Sequence, residues 1–284
     1  MKRILLALLV SSLVFACGKR EEVAEPVQET AEETATAPAT TTTSAPPTAT
    51  LQADAPIPAT GVALWLIADE ASASADGTLR TWSNARVPDV TANAVAPDGQ
   101  PMVVANAMNG HAAIRFDGEN DMLMTNVDVG PARMPDATIF TVFRSRTADA
   151  APLRKLYGND DGGFDRAVGL DDRAGEETNY GVFTGITVSP YFALEQDKTY
   201  VAADAYSAKE FSGWINGSPA VSNLAAAWSE ALPNLYIGGT GTSYNELWNG
   251  DLAEIIVYAR ALTPEERARV EDYLGSKYGV TLTR

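Results

Sequence analysis

Histidine is the side chain most often used for acid–base catalysis, and this chain of 284 residues contains only one, His111. Any Ser-His-Asp arrangement or histidine-rich zinc site would depend on that residue. His111 follows Asn109 and Gly110, a pair typical of a turn that leads into a strand. No G-x-S-x-G nucleophile motif accompanies it in the sequence. The sequence therefore predicts a turn histidine rather than a catalyst.

Carboxylates are concentrated between residues 158 and 177, where oxygen ligands for a hard cation such as calcium could come together. Asp160, Asp161 and Asp165 are the best calcium ligands in this segment. Their spacing is not that of an EF-hand, and a solvated acidic loop is the alternative interpretation. Calcium is the cofactor for which the sequence offers candidate ligands.

Glu254 is a second candidate metal ligand. It lies in a run, 252–258, that is apolar on both faces and therefore predicts a central strand. A buried carboxylate needs a cation or hydrogen-bond donors to offset its desolvation. A metal ion or an internal arginine would satisfy it equally well.

Aromatic side chains could bind sugars, because the C–H faces of a sugar ring stack on aromatic rings. Strand alternation sends Ile215 and Trp214 to opposite faces, so a buried Ile215 would leave Trp214 on a sheet face open to a ligand. Tyr180, Trp228 and Tyr244 fall in or near loop-like segments. These four aromatic residues are the ligand-binding candidates, and packing in the core is the alternative for each of them.

Short apolar and β-branched runs recur between turn residues from residue 61 onward, which is typical of an all-β domain. Turn dipeptides at Asp117-Gly118, Asn216-Gly217 and Asn249-Gly250 separate some of them. The pattern predicts a two-sheet antiparallel jelly-roll sandwich. The predicted strands cover 61–67, 113–116, 122–125, 138–143, 180–183, 200–206, 211–216, 235–238 and 252–258.

One helix is predicted near the C-terminus. Thr263 and Glu266 have the spacing of a capping box, and Pro264 between them suits the first helical position. Gly279 can end the helix in the left-handed conformation. Residues 280–282 can then return as an edge strand.

Several segments of this domain resemble the bacterial laminin-G-like domains of the concanavalin A-like lectin/glucanase superfamily. The resemblance implies a jelly roll of two curved sheets closed by a C-terminal helix. It also implies binding to glycans or proteins, sometimes with calcium. The segments are ALWLIAD (63–69), IRFDG (114–118), FTVF (140–143), WING (214–217), LYIGG (235–239), GDLAEIIVY (250–258) and the tail 260–280.

Glucanases of this superfamily carry a Glu-x-Asp-x-x-Glu strand, whose alternation places the catalytic carboxylates on one face. Glu119 and Asp121 begin such a pattern, but Met124 stands in place of the last glutamate. The segment 195–200 departs from the pattern in the same way, with Tyr200 at its end. The motif is absent, so we expect the domain to be non-catalytic.

The N-terminus has the layout of a signal peptide. A basic start precedes an apolar run, 4–15, that is too short to cross a bilayer, and Ala16 is a small residue suited to a cleavage site. Residues 14–17, Val-Phe-Ala-Cys, resemble a bacterial lipobox. We therefore expect cleavage after residue 16 and lipidation of Cys17, the only cysteine; a spare reactive thiol is the alternative.

The segment 17–60 is rich in Ala, Thr, Pro, Glu and Ser, a composition that predicts a disordered tether. The domain organisation is then a signal peptide at 1–16, this tether and one domain at 61–284. The formal charge of −16 argues against nucleic acid as a partner, because phosphate binding needs clustered Lys and Arg.

These observations predict a lipoprotein of a bacterial cell envelope, attached to the outer membrane, whose domain binds a glycan or an envelope protein without catalysis. Two alternatives remain open. One is a glycan hydrolase with an atypical carboxylate pair, and the other is a structural or adhesion module that binds another envelope protein.

Overall fold

The computed structural model describes residues 51, 55–83, 86–87, 89–174, 180–229, 232–241 and 245–284. Cys17, the signal peptide and most of the predicted tether lie outside these residues. The described residues form two short 3₁₀ turns and one α-helix, α1 (Pro264–Tyr278), in addition to the strands. The described strands are β1 (Val62–Ile67), β2 (Thr81–Ser83), β3 (Thr91–Ala94), β4 (Met102–Met108), β5 (His111–Asp117), β6 (Leu123–Asp128), β7 (Ala137–Ser145), β8 (Arg154–Gly158), β9 (Ala167–Leu170), β10 (Tyr180–Phe183), β11 (Val188–Phe192), β12 (Thr199–Tyr206), β13 (Glu210–Ile215), β14 (Ser218–Ala225), β15 (Asn234–Ile237) and β16 (Asn249–Tyr258).

The strands form two antiparallel sheets. The first sheet has the order β14-β13-β12-β7-β16-β5-β4, with β1 also paired to β16. The second sheet has the order β11-β10-β9-β8-β15-β6-β3-β2. The prediction of an all-β sandwich with one C-terminal helix is confirmed. In the part of the chain that the structure describes, no helix has the length and apolar character needed to cross a bilayer.

Strand β16 is central, as its double-sided apolar sequence predicted. It pairs with β7 along one side. Along its other side, β5 pairs with its first half and β1 with its second half. Neighbouring strands on both sides and packing on both faces leave this strand little contact with water, so apolar residues are favoured at nearly every position.

Aromatic side chains fill much of the space between the two sheets. Phe143 of the first sheet stacks on Tyr180 of the second, with ring centroids 5.4 Å apart. Trp248 approaches the same Phe143 ring edge-on at 5.9 Å, and Tyr200 stacks on it at 5.7 Å. Burial of several large rings in one layer contributes much of the hydrophobic stabilisation of such a sandwich.

Helix α1 packs on the face of the first sheet that points away from the second. Thr263 accepts a hydrogen bond from the Glu266 amide in a complete capping box, and Gly279 ends the helix at φ 66°, as the sequence predicted. The predicted edge strand at 280–282 is wrong. This tail instead makes isolated hydrogen bonds, among them one from the Thr283 amide to the Asn216 carbonyl at 2.8 Å.

The packed part of the domain begins before residue 61. Ile57 is completely buried, and the Tyr258 hydroxyl donates to the Pro58 carbonyl at 3.0 Å. Arg269 of α1 donates to the carbonyls of Pro56, at 3.1 Å, and Ala55. The contacts extend further, to Leu51, whose amide donates to the Ala59 carbonyl at 2.7 Å and whose side chain packs against the core. The folded domain thus includes residues of the stretch that the composition assigned to the tether.

One predicted turn is wrong and another is confirmed. Asn249 and Gly250 are the first residues of β16 rather than a turn. Asn216 and Gly217 form the β13–β14 turn with φ values of 50° and 84°, which Asn and Gly tolerate better than other residues.

The outermost strands of the sheets are irregular. Strand β14 carries Pro219 and, at Asn223, a positive φ of 52°. Strand β4 carries Asn106 at φ 53° next to a shift of register, and β11 carries Pro190. Each irregularity interrupts the row of backbone groups that an edge strand would otherwise present.

Candidate functional site

Several loops converge at one end of the sandwich, which we call the loop end. The Ser229 hydroxyl donates to Asp165 Oδ1 at 3.1 Å. The Gly185 amide donates to the Phe164 carbonyl at 2.6 Å. These bonds hold together loops that are distant in the sequence, as expected of a binding site built from strand connections. The loop end comprises residues 159–166, 184–187 and 226–229.

The three aspartates predicted as calcium ligands all lie in the loop end. Asp160 and Asp165 are buried and Asp161 is exposed. Asp160 Oδ1 accepts the Asp165 amide at 2.8 Å. Among the described residues, no three His, Cys, Asp or Glu side chains are grouped closely enough to hold a metal ion. Calcium binding therefore stays a prediction.

Burial raises the pKa of the Asp165 carboxyl, and the negative charges of Asp160 and Asp161 raise it further against the hydrogen bond from Ser229. Two buried acceptors nearby, Asp165 Oδ2 and Asn159 Oδ1, receive no hydrogen bond from any described residue. Buried acceptors normally have a donor. Both atoms are enclosed by the protein, so they mark a part of the loop end whose hydrogen bonds are incompletely satisfied.

Trp228 lies in the loop end beside these carboxylates, joined to them through Ser229. Its half-buried ring contacts Tyr206 edge-on at 5.6 Å and the Arg166 guanidinium at 5.3 Å. Arg166 is itself buried and donates to the Val129 and Met134 carbonyls at 2.9 and 2.7 Å. The ring is therefore held rigidly in place by Arg166.

Two further apolar residues of the loop end were not predicted from the sequence. Phe164 is half-buried and has φ 57°, which is uncommon for a bulky residue. Ile186 is 58% exposed, the most exposed large apolar side chain described. Gly162 and Gly163, which precede Phe164, were the available signal of an unusual backbone.

A buried ion pair lies near the loop end and was also not predicted. Lys155 is fully buried and donates to Asp171 Oδ2 at 2.5 Å. Arg173 Nη2 lies 2.8 Å from the same oxygen and 3.7 Å from Glu246 Oε1. Both oxygens of Asp171 accept hydrogen bonds, and its side chain has no exposed surface.

The two carboxyls of this cluster have pKa values shifted in opposite directions. Burial would raise the pKa of Asp171, but hydrogen bonds from Arg173 and the charge of Lys155 outweigh it and lower the pKa. Burial raises the pKa of Glu246 in spite of Lys155 and Arg173. Such a pair is typical of acid–base sites. Here the paired, buried Asp171 is closed to a substrate.

The other predicted aromatic residues lie elsewhere. Trp214 faces away from the second sheet, as alternation predicted, but the Arg267 guanidinium of α1 covers its ring at 4.1 Å. Tyr180 is fully buried in the core and offers no face to a ligand. Tyr244 lies outside the described residues. Of the three aromatic candidates that the structure describes, Trp228 alone lies in the loop end with the predicted acidic residues.

Glu254 lies on the face of the first sheet that points away from the second sheet, and α1 covers it. It is fully buried and accepts hydrogen bonds from Trp65 Nε1 at 2.6 Å and the Tyr278 hydroxyl at 2.8 Å. Lys277 Nζ donates to it at 2.9 Å. Its need for donors is met by a lysine and ring groups, in place of the internal arginine considered from the sequence.

His111 begins β5 directly after the turn, as predicted. Its Nδ1 lies 2.7 Å from Asp69 Oδ2, and its ring contacts Tyr278 edge-on at 5.2 Å. These contacts join the β4–β5 hairpin to α1.

A buried polar cluster joins the two sheets and left no pattern in the sequence. Asp204 of β12 accepts hydrogen bonds from the hydroxyls of Tyr157, at 2.7 Å, and Tyr191. Burial raises the pKa of Asp204 to about 7 although both hydrogen bonds act to lower it. This carboxyl is enclosed by the core and is not part of a ligand site.

No family model matches this chain, and no curated protein matches it. Solved structures show the same fold. A Trypanosoma rangeli sialidase in complex with sialic acid aligns at a TM-score of 0.55 and 17% identity, covering 76% of this chain and 33% of the sialidase. The same sialidase with 2,3-difluoro-KDN aligns at 0.54 and 18%, covering 81% and 36%. The chain thus spans about a third of the protein it resembles.

Proposed function

We propose that this chain is a lipid-anchored protein of a bacterial envelope whose laminin-G-like domain binds glycans without catalysis. The observation that carries the proposal is the loop end, where Ser229, the residue after Trp228, is hydrogen-bonded to Asp165. An aromatic ring can stack on a sugar, and the exposed polar side chains of the same loops, Asp161 and Ser229, can form hydrogen bonds with its hydroxyl groups. About a third of a sialidase whose structure contains sialic acid also has this fold.

A glycan array probed with the chain from Gly18 onward, with and without calcium, tests this proposal. We expect binding to at least one glycan, and Trp228→Ala should weaken it about tenfold or more by removing the stacking ring. Trp214→Phe is the matched control, because Arg267 covers that ring. Absence of binding in both conditions, or equal binding by Trp228→Ala and the parent, would refute glycan binding at the loop end. Calcium binding is supported only if added calcium strengthens the interaction.

The anchor rests on the lipobox-like segment that ends at Cys17. Two or more acyl chains would hold the protein stably on a membrane, since each buried methylene contributes about 0.8 kcal/mol. In the native host, Cys17→Ser should move the protein from the membrane fraction to the soluble fraction. Mass spectrometry showing an unmodified Cys17 in soluble parent protein would contradict the anchor.

A hydrolase is the alternative to be tested. Because Asp171 is closed to a substrate, Glu246, whose side chain is 13% exposed and whose pKa is raised by burial, is the carboxyl it would use. Any glycan bound on the array should be incubated with the protein and examined for shorter products. Products that disappear in Glu246→Gln would establish hydrolysis and overturn the non-catalytic proposal. A pull-down that recovers one envelope protein, combined with an empty array, would favour the adhesion module instead.

A further inference from the structure

One part of the second sheet exposes a polar surface with a single charged residue at its margin. Cross-strand pairing places Thr81 opposite Asn93, and Asn93 opposite Met124, so these side chains share one face. Their neighbours Trp82 and Ala92 point into the core and are fully buried. The outward residues of the three adjacent strands β2, β3 and β6, which we call the polar face, are Thr81, Ser83, Thr91, Asn93, Met124, Asn126 and, at the end of β6, Asp128.

The composition of the polar face is unusual for this protein. Five of its residues are exposed, and Thr91 and Asp128 are half-buried. Asp128, at the margin of the face, is the single charged residue among them and there is no cation, although 20% of the chain is charged. Solvated faces normally carry Lys, Glu, Asp or Arg. The corresponding face of the first sheet is covered by α1, whereas this face is open.

Hydrogen bonds fix the side chains of the polar face. The Thr81 hydroxyl donates to Asn93 Oδ1 at 2.9 Å, and Asn93 Nδ2 donates to the Thr91 hydroxyl at 3.1 Å. Asn126 Oδ1 accepts the Thr91 amide at 3.0 Å. Each amide and hydroxyl retains further donor or acceptor capacity directed to solvent. Because these groups are already held in position, a ligand would order little additional side-chain entropy.

We propose that the polar face is a second binding surface, specific for an uncharged polysaccharide. Sugar hydroxyls are both donors and acceptors, and therefore complement a row of amides and hydroxyls. Met124, 36% exposed between the polar residues, offers an apolar contact for a sugar C–H face. An anionic polymer would find no cation on this face and would be repelled by the acidic chain. The polar face and the loop end are formed by different strands and loops, so the two sites are independent.

Affinity electrophoresis of the chain from Gly18 onward tests this site, with hydroxyethylcellulose, galactomannan or polygalacturonate in the gel. We expect at least one of the two neutral polymers to retard the protein, and polygalacturonate not to. The double change Thr81→Ala and Asn93→Ala should weaken the retardation about fivefold or more. Ser222→Ala, at an exposed position of β14 in the other sheet, is the control and should behave as the parent.

Asn93→Asp supplies a second variant that keeps the size of the side chain. It should also weaken retardation, because a carboxylate loses the donors of the amide. The proposal is overturned if neither neutral polymer retards the parent, if polygalacturonate retards it more strongly, or if the double variant and Asn93→Asp both match the parent. A loss of retardation in Trp228→Ala alone would also overturn this proposal, and it would support glycan binding at the loop end.

Discussion

Asp204 shows how a single residue links the two sheets. It lies on β12, opposite Gly213 of β13, and accepts hydrogen bonds from Tyr157 and Tyr191 of the other sheet. A Cβ atom on residue 213 would collide with the Tyr191 hydroxyl. Glycine at this position therefore makes room for the tyrosine to reach the carboxyl.

The buried Asp204 should make the domain less stable as the pH rises. Its pKa is about 7 in the folded chain and usually 3.8, so between these values the folded state holds the extra proton. The contribution of Asp204 to the free energy of unfolding then falls from pH 4 to pH 7, by on the order of 4 kcal/mol. Urea unfolding across this range should show a flatter profile for Asp204→Asn than for the parent.

Asp251 provides a control, because its pKa is shifted in the opposite direction to that of Asp204. It is buried, but hydrogen bonds from Arg115 and Arg144 outweigh the effect of burial and lower its pKa. Its contribution is present above pH 3.8 and is lost as the pH falls below that value. Asp251→Asn should therefore leave the slope between pH 4 and pH 7 almost unchanged. Identical slopes for Asp204→Asn and the parent would show that Asp204 does not titrate as proposed.

At the residue scale, the sequence predicted the direction in which a side chain points better than it predicted the residues that contact that side chain. Alternation placed Trp214 on the correct face of its strand, yet the guanidinium that covers it belongs to a helix far along the chain. Glu254 was expected to need donors, and it receives them from Trp65 and α1. Local spacing determines where a side chain points, whereas its partners depend on tertiary contacts.

At the scale of elements, Glu254 joins α1 to the first sheet. It receives hydrogen bonds from Trp65 of β1 and from Lys277 and Tyr278 of the helix. Glu254→Ala should lower the free energy of unfolding by about 3 to 5 kcal/mol, because it leaves a lysine and two ring donors without their acceptor. Urea unfolding measures this loss.

Glu265→Ala is the matched control for this prediction. Glu265 is also a glutamate, but it is exposed in the first turn of α1. Its removal should cost at most about 1 kcal/mol through the helix dipole. A similar loss in both variants would mean that Glu254 contributes no more than a surface charge.

Elements with strong local signals were predicted well. The capping box and Gly279 fixed both ends of α1, and the apolar run of β16 identified the central strand. The strands β2, β3 and β14 were missed because their outward residues are polar and their inward apolar residues are few. In β9, Gly169 lies so close to the Arg154 backbone that a Cβ atom would not fit. Glycine has no side chain that could indicate a strand, so this position gave no signal in the sequence.

At the scale of the molecule, the segment before β1 belongs to the folded domain. A chain that begins at Leu51, whose side chain packs against the core, should unfold at the same urea concentration as one that begins at Gly18. A chain that begins at Gly61 should lose about 2 to 4 kcal/mol, because it lacks the buried Ile57 and the carbonyls that Tyr258 and Arg269 contact. Equal urea midpoints for the chains that begin at Gly18 and Gly61 would instead place the start of the folded domain at residue 61.

The irregular outer strands affect whether copies of this protein associate at high local concentration. Proline in β14 and β11, and left-handed asparagines in β14 and β4, break the backbone rows through which sheets of neighbouring molecules fuse. Copies concentrated on a small area would thus collide without cross-strand polymerisation. Sedimentation should show a single species whose mass is unchanged over a hundredfold range of concentration.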